Sequence, residues 1–193
     1  MSDEIAQPRR SRAPLWILIA MCVAPIAASY VAFYWWQPSD QVNYGELLEP
    51  RAVAAERWVA LDGARFSLQA LQGSWVLTVI DSGRCDAWCR EKLTYIRQVR
   101  LAQGKDTNRV ERLWVITDEA RPEPELLTAH EGMHVVQARA GDIAGVFPAQ
   151  HAHADHIYVI DPLGNVMMRY PRDADPRRIL KDVSRLLRHS RWR

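Results

Sequence analysis

Residues 75–89 read WVLTVIDSGRCDAWC, and this stretch decides the fold. Its opening, 75–80, is a short apolar run rich in β-branched side chains, the composition of a buried strand. Asp81, Ser82, Gly83 and Arg84 break the run, and Cys85 and Cys89 follow with three residues between them. From Asp86 the pattern turns helical. Leu93, Ile96 and Val99 recur on one side and Gly104 supplies a stop, so a helix is expected over 86–103. A strand that passes into a helix through a cysteine-bearing turn begins an α/β unit.

Downstream the alternation continues. Residues 112–117 (RLWVIT) predict a second buried strand, 122–129 a short helix and His134–Gln137 a brief strand, while 141–154 reads as irregular. A hairpin is expected next, from 156–160 through the turn Asp161-Pro162-Leu163-Gly164-Asn165 to 166–170. Asp175 caps a last helix with Pro176 at its first position, and Ile179, Leu180, Val183, Leu186 and Leu187 fall at helical spacing. Upstream, 58–61 and 66–68 flank an Asp62-Gly63 turn signal and predict a hairpin. The order is therefore β-α-β-α-β-β-α after an N-terminal β-hairpin. That is an α/β sheet covered on both faces, and its closing hairpin with a final helix is the arrangement of the thioredoxin-like fold.

The N-terminal segment has a different character. Residues 13–39 carry no charge, and 15–36 are nearly continuous in apolar and small side chains. About 20 residues span a bilayer core, so the run is long enough to cross one. Trp16 stands at one edge and Tyr34, Trp35 and Trp36 at the other, as an interfacial belt would. Arg9, Arg10 and Arg12 precede the run, whereas Asp40 and Glu46 follow it. The positive-inside bias puts the N-terminus in the cytoplasm and the remainder across the membrane, which in a bacterium is the inner membrane with a periplasmic domain. A cleaved signal peptide is the alternative, with Ala27, Ala28 and Ser29 as a cleavage site. The apolar run continues past that point through Val31 to Trp36, which favours an uncleaved anchor. The chain thus divides into a cytoplasmic tail (1–12), a single transmembrane helix (13–36), a tether mixing Pro38, Gly45, Pro50 and charge (37–56), and a globular domain (57–193).

The composition excludes other classes. Hydrophobic residues at 48% and charged ones at 25% are the balance of a folded chain, not a disordered one. A net charge of +2, with arginines gathered at the two ends, argues against a nucleic-acid partner. Of three cysteines, Cys22 lies in the apolar run, so Cys85 and Cys89 are the only pair in the globular part. Two cysteines this close cannot form a framework of structural disulfides.

The pair has chemical uses. At a helix N-terminus, residues four apart share a face, and the helix favours the thiolate, which is both nucleophile and metal ligand. Such a site suits copper or reversible disulfide chemistry. Soft thiolates select Cu(I), and an imidazole can complete the coordination. Six histidines are present, and His151, His153 and His156 cluster. His156 opens a hairpin strand whose start lies beside the cysteine loop in a thioredoxin-like fold, which makes it the candidate third ligand. His151 and His153 read as solvated loop residues, and Trp88 as a packing residue.

With these features the chain resembles the Sco family, membrane-anchored thioredoxin-fold copper chaperones that help to build the binuclear copper centre of cytochrome c oxidase. The resemblance runs from about Phe66 to Leu187. It rests on FSLQALQGSWVL (66–77) leading to the cysteines, VITD (115–118) and DHIYVIDPLGNV (155–166). It implies that Cys85, Cys89 and His156 fall on the family's copper ligands, and that Asp118 falls near an acidic position after the second core strand. It also implies copper, as Cu(I) or Cu(II), as the metal, and an oxidase subunit or other assembly factors as partners. Asp86 and Arg90 stand where the family usually has prolines, and Ile80 to Arg84 replaces an aromatic-glycine-tyrosine-threonine run, marking a divergent member.

Three functions stay open from the residues. The first is a copper-binding assembly factor, which needs His156. The second is a thiol-disulfide oxidoreductase acting on exported or oxidase-subunit cysteines, with Cys85 the more exposed nucleophile and Cys89 the resolving thiol. The third is a non-catalytic docking module in oxidase assembly, for which neither cysteine matters.

Overall fold

A computed structural model describes residues 12–35 and 43–190. The chain forms two compact units, Met1–Val42 and Asn43–Arg193. The expected cytoplasmic tail, Trp36 and the first part of the tether lie outside the described residues, Arg12 apart.

In the first unit, helix α1 (Ala13–Trp35) contains Pro25. Its Trp16–Tyr34 stretch is long and apolar enough to cross a membrane, and among the described residues it is the one helix that is. At 1.5 Å per residue, 23 residues extend about 35 Å, which exceeds a hydrocarbon core of about 30 Å.

The second unit is a seven-stranded mixed sheet. Its strands are β1 (Glu46–Ala52), β2 (Val59–Ala60), β3 (Trp75–Asp81), β4 (Val110–Ile116), β5 (His134–Gln137), β6 (Ile157–Ile160) and β7 (Asn165–Tyr170), in the order β1-β7-β6-β3-β4-β5-β2. β3, β4 and β5 are parallel, and the remaining pairings are antiparallel. The helices are α2 (Ala87–Leu101), α3 (Pro124–Ala129), α4 (Ala140–Ala144) and α5 (Pro176–His189).

Central β3 is buried on both faces, which is why its sequence is a continuous apolar run. Trp75, Leu77 and Val79 face α2 and α5, where Leu93, Ile96, Val99, Ile179, Val183 and Leu187 are buried with them. Val76 and Ile80 face the other way, towards Trp58, Ile143, Phe147 and Tyr158. Each such fully buried aliphatic side chain stabilises by roughly 1.5–3 kcal/mol, so the two-sided strand anchors the whole unit.

The structure departs from the sequence reading in three places. First, Glu46–Ala52, read as tether, is the edge strand β1, paired with β7 from Glu46↔Arg169 to Ala52↔Asn165. Pro50 is tolerated because the register shifts between Leu47 and Arg51, so its missing N–H breaks no regular ladder. Second, the chain reverses at Asp62-Gly63 as expected, with Gly63 at φ 86°. However, Val59↔Arg65 is a single bridge, β2 pairs instead with β5, and 68–71 is a 3-10 turn. Third, the segment 141–154 overlaps α4 and a 3-10 turn at His153–Asp155.

Candidate functional site

The cysteine loop joins β3 to α2. Asp86 is the N-cap of α2, and its carboxylate accepts a hydrogen bond from the Cys89 N–H at 2.9 Å. Asp86 thus starts the helix where the Sco pattern has a proline. Cys85 and Cys89 form a disulfide, with Cα atoms 5.0 Å apart. Cys85 has φ 43°, the one non-glycine residue with positive φ among those described. A left-handed backbone is unfavourable for a side chain with a Cβ, so the cysteine at this position carries a conformational cost.

The expectation that Cys85 is the more exposed of the pair has almost no difference to rest on. Cys85 is 1% and Cys89 0% exposed, and both pack in the apolar cluster with Leu93 and Ile96. Either thiol therefore meets an outside group only when the loop opens.

Asp118, just beyond β4, holds this loop. It accepts from the Ser82 hydroxyl at 2.5 Å, the Gly83 N–H at 2.9 Å and the Ala120 N–H at 3.2 Å. Burial works against its charge, but the hydrogen bonds from Ser82, Gly83 and Ala120 outweigh it and hold the carboxyl below the usual range. Gly83 is needed for this packing, because a Cβ there would lie 1.9 Å from the Ala120 carbonyl oxygen. Arg90, in the second proline position, donates from Nε to the Cys85 carbonyl at 3.1 Å and pairs with Glu123 at 2.8 Å.

His156 comes from the neighbouring strand. Antiparallel pairing of Val79 with Ile157 brings the start of β6 beside the end of β3, so His156 and the cysteine loop emerge at one end of the sheet. The His156 Nδ1 lies 2.9 Å from the Tyr170 carbonyl oxygen. A carbonyl only accepts, so Nδ1 carries the proton and Nε2 keeps its lone pair. Burial lowers the imidazole pKa despite that hydrogen bond, which keeps the ring neutral and able to ligate.

Two residues that the sequence reading missed tie these parts together. Lys92, three residues after Cys89, is fully buried and pairs with Asp81, the last residue of β3, at 2.6 Å. Its Nζ also donates to the Ala154 carbonyl, two residues before His156, at 2.5 Å. One ammonium thereby joins α2, β3 and the His156 segment. The available signal was a charged residue, Asp81, ending an otherwise apolar strand.

Residues 75–190 match the profile of a family described as the transmembrane-like, thioredoxin-like, C-terminal domain. The chain belongs to this family. No curated protein matches it. Among solved structures it is similar to yeast Sco1 with copper bound, at 15% identity and a TM-score of 0.61, covering 74% of this chain and 96% of that one. It is similar to Bradyrhizobium japonicum ScoI with copper bound, at 19% identity and a TM-score of 0.54, covering 70% and 99%. Apo Sco1 from Thermus thermophilus matches at 20% identity and a TM-score of 0.55, covering 77% and 99%. The resemblance to Sco proteins read from the sequence therefore holds for the fold, an α/β thioredoxin-like domain.

Within this thioredoxin-like domain the donor types suit a soft metal: two sulfurs and a neutral imidazole. Their arrangement in the disulfide-bonded state is not yet a ligand set. Among the described residues no group of three or more His, Cys, Asp and Glu side chains is placed to hold a metal. The sulfurs become ligands only as thiolates, after reduction. Of the remaining histidines, His153 is bonded through Nε2 to the Phe147 carbonyl at 2.9 Å, and His134 lies 4.0 Å from Glu111.

Proposed function

We propose that this chain is a membrane-anchored copper-binding protein of cytochrome c oxidase assembly. Reduced Cys85 and Cys89 take copper with His156, then deliver it to the oxidase copper centre or prepare that centre. Loading requires that an external dithiol first reduce the disulfide, giving up two electrons and two protons and becoming a disulfide itself, to leave two thiols on this chain. The partner is an oxidase subunit or another assembly factor. A single pass of α1 through a bacterial inner membrane, with the N-terminus cytoplasmic, keeps the folded domain in the periplasm. The observation that carries the reading is the tautomer of His156. Its Nδ1–H is engaged by the Tyr170 carbonyl, which leaves Nε2 as a ligand atom at the end of the sheet that bears the cysteines.

The test uses the full chain in maltoside detergent, reduced without oxygen and titrated with Cu(I) against a competing chelator. One tightly held copper, weakened at least tenfold by Cys85→Ser and by His156→Ala, is the expected result. Failure to compete for copper would overturn the reading.

A second reading, thiol-disulfide exchange, draws on the Cys85–Cys89 disulfide itself. It predicts that His156→Ala leaves dithiol activity towards a disulfide-bonded substrate unchanged, whereas Cys85→Ser abolishes it.

A further inference from the structure

Away from the cysteines, α2, β4 and the turn after α3 border an open pocket of about 320 Å³ lined by Arg97, Arg100, Arg112, Thr128, Glu131 and Gly132. A small ligand fits a pocket of this size, at the lower end of the range of about 300–1,000 Å³ for ligand sites. Arg112 forms its floor. This residue of β4 lies on the face of Val110 and Trp114, beneath α2, and only 3% of it is exposed. Its Nη2 donates to the Glu131 carbonyl at 2.6 Å, but Nε and Nη1 are buried without a partner.

A buried guanidinium is ordinarily matched by a carboxylate, because an unpaired buried charge is among the costliest features a fold can carry. Here no carboxylate pairs with Arg112 among the described residues; the nearby acid, Glu111, is instead 3.8 Å from Arg100 and 4.0 Å from His134. The other two lining arginines add to the imbalance. Arg97 is exposed on α2 and makes no hydrogen bond or ion pair among the described residues, while Arg100 donates from Nε to the Val110 carbonyl at 2.5 Å. With Arg100 already 3.8 Å from Glu111, Arg97 and Arg112 supply the pocket's unmatched positive charge. Its field reaches His130 as well. Burial, then Arg112 and Arg97, depress that imidazole, and its Nδ1 is also buried without a partner. A concave site that gathers three guanidinium groups, with Arg112 beneath it and no carboxylate paired to it among the described residues, attracts an anion.

We infer that this pocket is a binding site for a phosphate-type oxyanion, seated over Arg112 and held between Arg97 and Arg100. Guanidinium forks match the geometry of a tetrahedral oxyanion, and charge-assisted hydrogen bonds are stronger than neutral ones. The anion is either free inorganic phosphate or the phosphate of a lipid headgroup, since both present the same oxygens. The site stands apart from the cysteines and does not depend on the copper reading.

The test uses the full chain in maltoside, in phosphate-free buffer with ionic strength fixed by sodium chloride. Inorganic phosphate should raise the unfolding temperature beyond the effect of matched chloride, as a ligand of the native state does. Arg97→Gln, at an exposed position, should raise the apparent dissociation constant for phosphate at least tenfold, and Arg112→Met should abolish the response. Should Arg112→Met fail to fold, Arg97→Gln alone decides. Phosphatidylglycerol in the micelles that competes with inorganic phosphate, where diacylglycerol does not, identifies the headgroup as the source. Phosphate binding without that competition identifies the free ion. No stabilisation of the native chain by either anion beyond chloride, or an equal response in Arg97→Gln, overturns the inference.

Discussion

Lys92, with no exposed side-chain surface, donates to the Asp81 carboxylate at 2.6 Å from within the helix that follows the cysteines. Breaking such a pair by removing one partner typically costs about 3–5 kcal/mol, because the other charge is left buried alone. Lys92→Met should therefore lower stability by about 3 kcal/mol or more in urea unfolding. The double variant Lys92→Met/Asp81→Leu should recover much of that loss. Strictly additive effects would show that the two side chains do not act as a pair.

The Cys85 backbone yields a second expectation. At φ 43° a residue with a Cβ carries a conformational cost of roughly 1 kcal/mol that glycine escapes. In a Cys89→Ser background, which removes the disulfide from the comparison, Cys85→Gly should be more stable than Cys85→Ala by about 1 kcal/mol. Equal midpoints in denaturant would mean that the loop relaxes to negative φ once the disulfide is gone.

Much of this architecture is written in periodicity. β3 and α2 were legible because a two-sided strand is uniformly apolar and a one-sided helix repeats Leu93, Ile96 and Val99. The cysteines and His156 were legible because their residue types are rare and their spacing meets a strand end. β1 was not, since an edge strand with charges and Pro50 has the composition of a linker; only its pairing with β7, with Arg169 bonded to Glu46 at 2.8 Å, reveals it. Lys92 and Arg112 were also hidden. A charge on a helix or at a strand start normally signals solvent, and burial of these two is a property of tertiary neighbours that no local pattern records.

Gly83 sets how closely the cysteine loop approaches the segment after β4. The atom a Cβ would strike is a backbone carbonyl, 1.9 Å away, and cannot swing aside as a side chain could. Gly83→Ala should cost about 1–3 kcal/mol, the range for overpacking. It should also weaken the hydrogen bonds from Ser82 and Gly83 to Asp118, and so loosen the loop that buries the disulfide. Faster reduction of the Cys85–Cys89 disulfide by a small thiol, followed by alkylation and mass spectrometry, would report that loosening. An unchanged reduction rate alongside lost stability would place the strain elsewhere.

His156 predicts a response to acid. Its pKa is held below the ordinary value of 6.5, chiefly by burial, with the Tyr170 hydrogen bond opposing and the Arg169 charge adding to the shift. The folded chain therefore keeps this ring neutral in a range where the unfolded chain has already bound a proton. Between the depressed folded pKa and 6.5 the unfolded state holds more protons, so stability rises with pH through that window and falls as pH drops below 6.5. His130 is lowered in the same direction, first by burial and then by Arg112 and Arg97, and contributes a parallel slope. The His156 part is isolated by difference. The urea midpoint of His156→Gln should fall less steeply below pH 6.5 than that of the native chain, and His130→Gln should show a separate, additive flattening. Identical pH slopes for the native chain and His156→Gln would mean that the imidazole is as free to protonate in the fold as in water. Burial would then not outweigh the Tyr170 hydrogen bond, and the proposed role of Nε2 as a ligand would lose the support it draws from a ring held neutral.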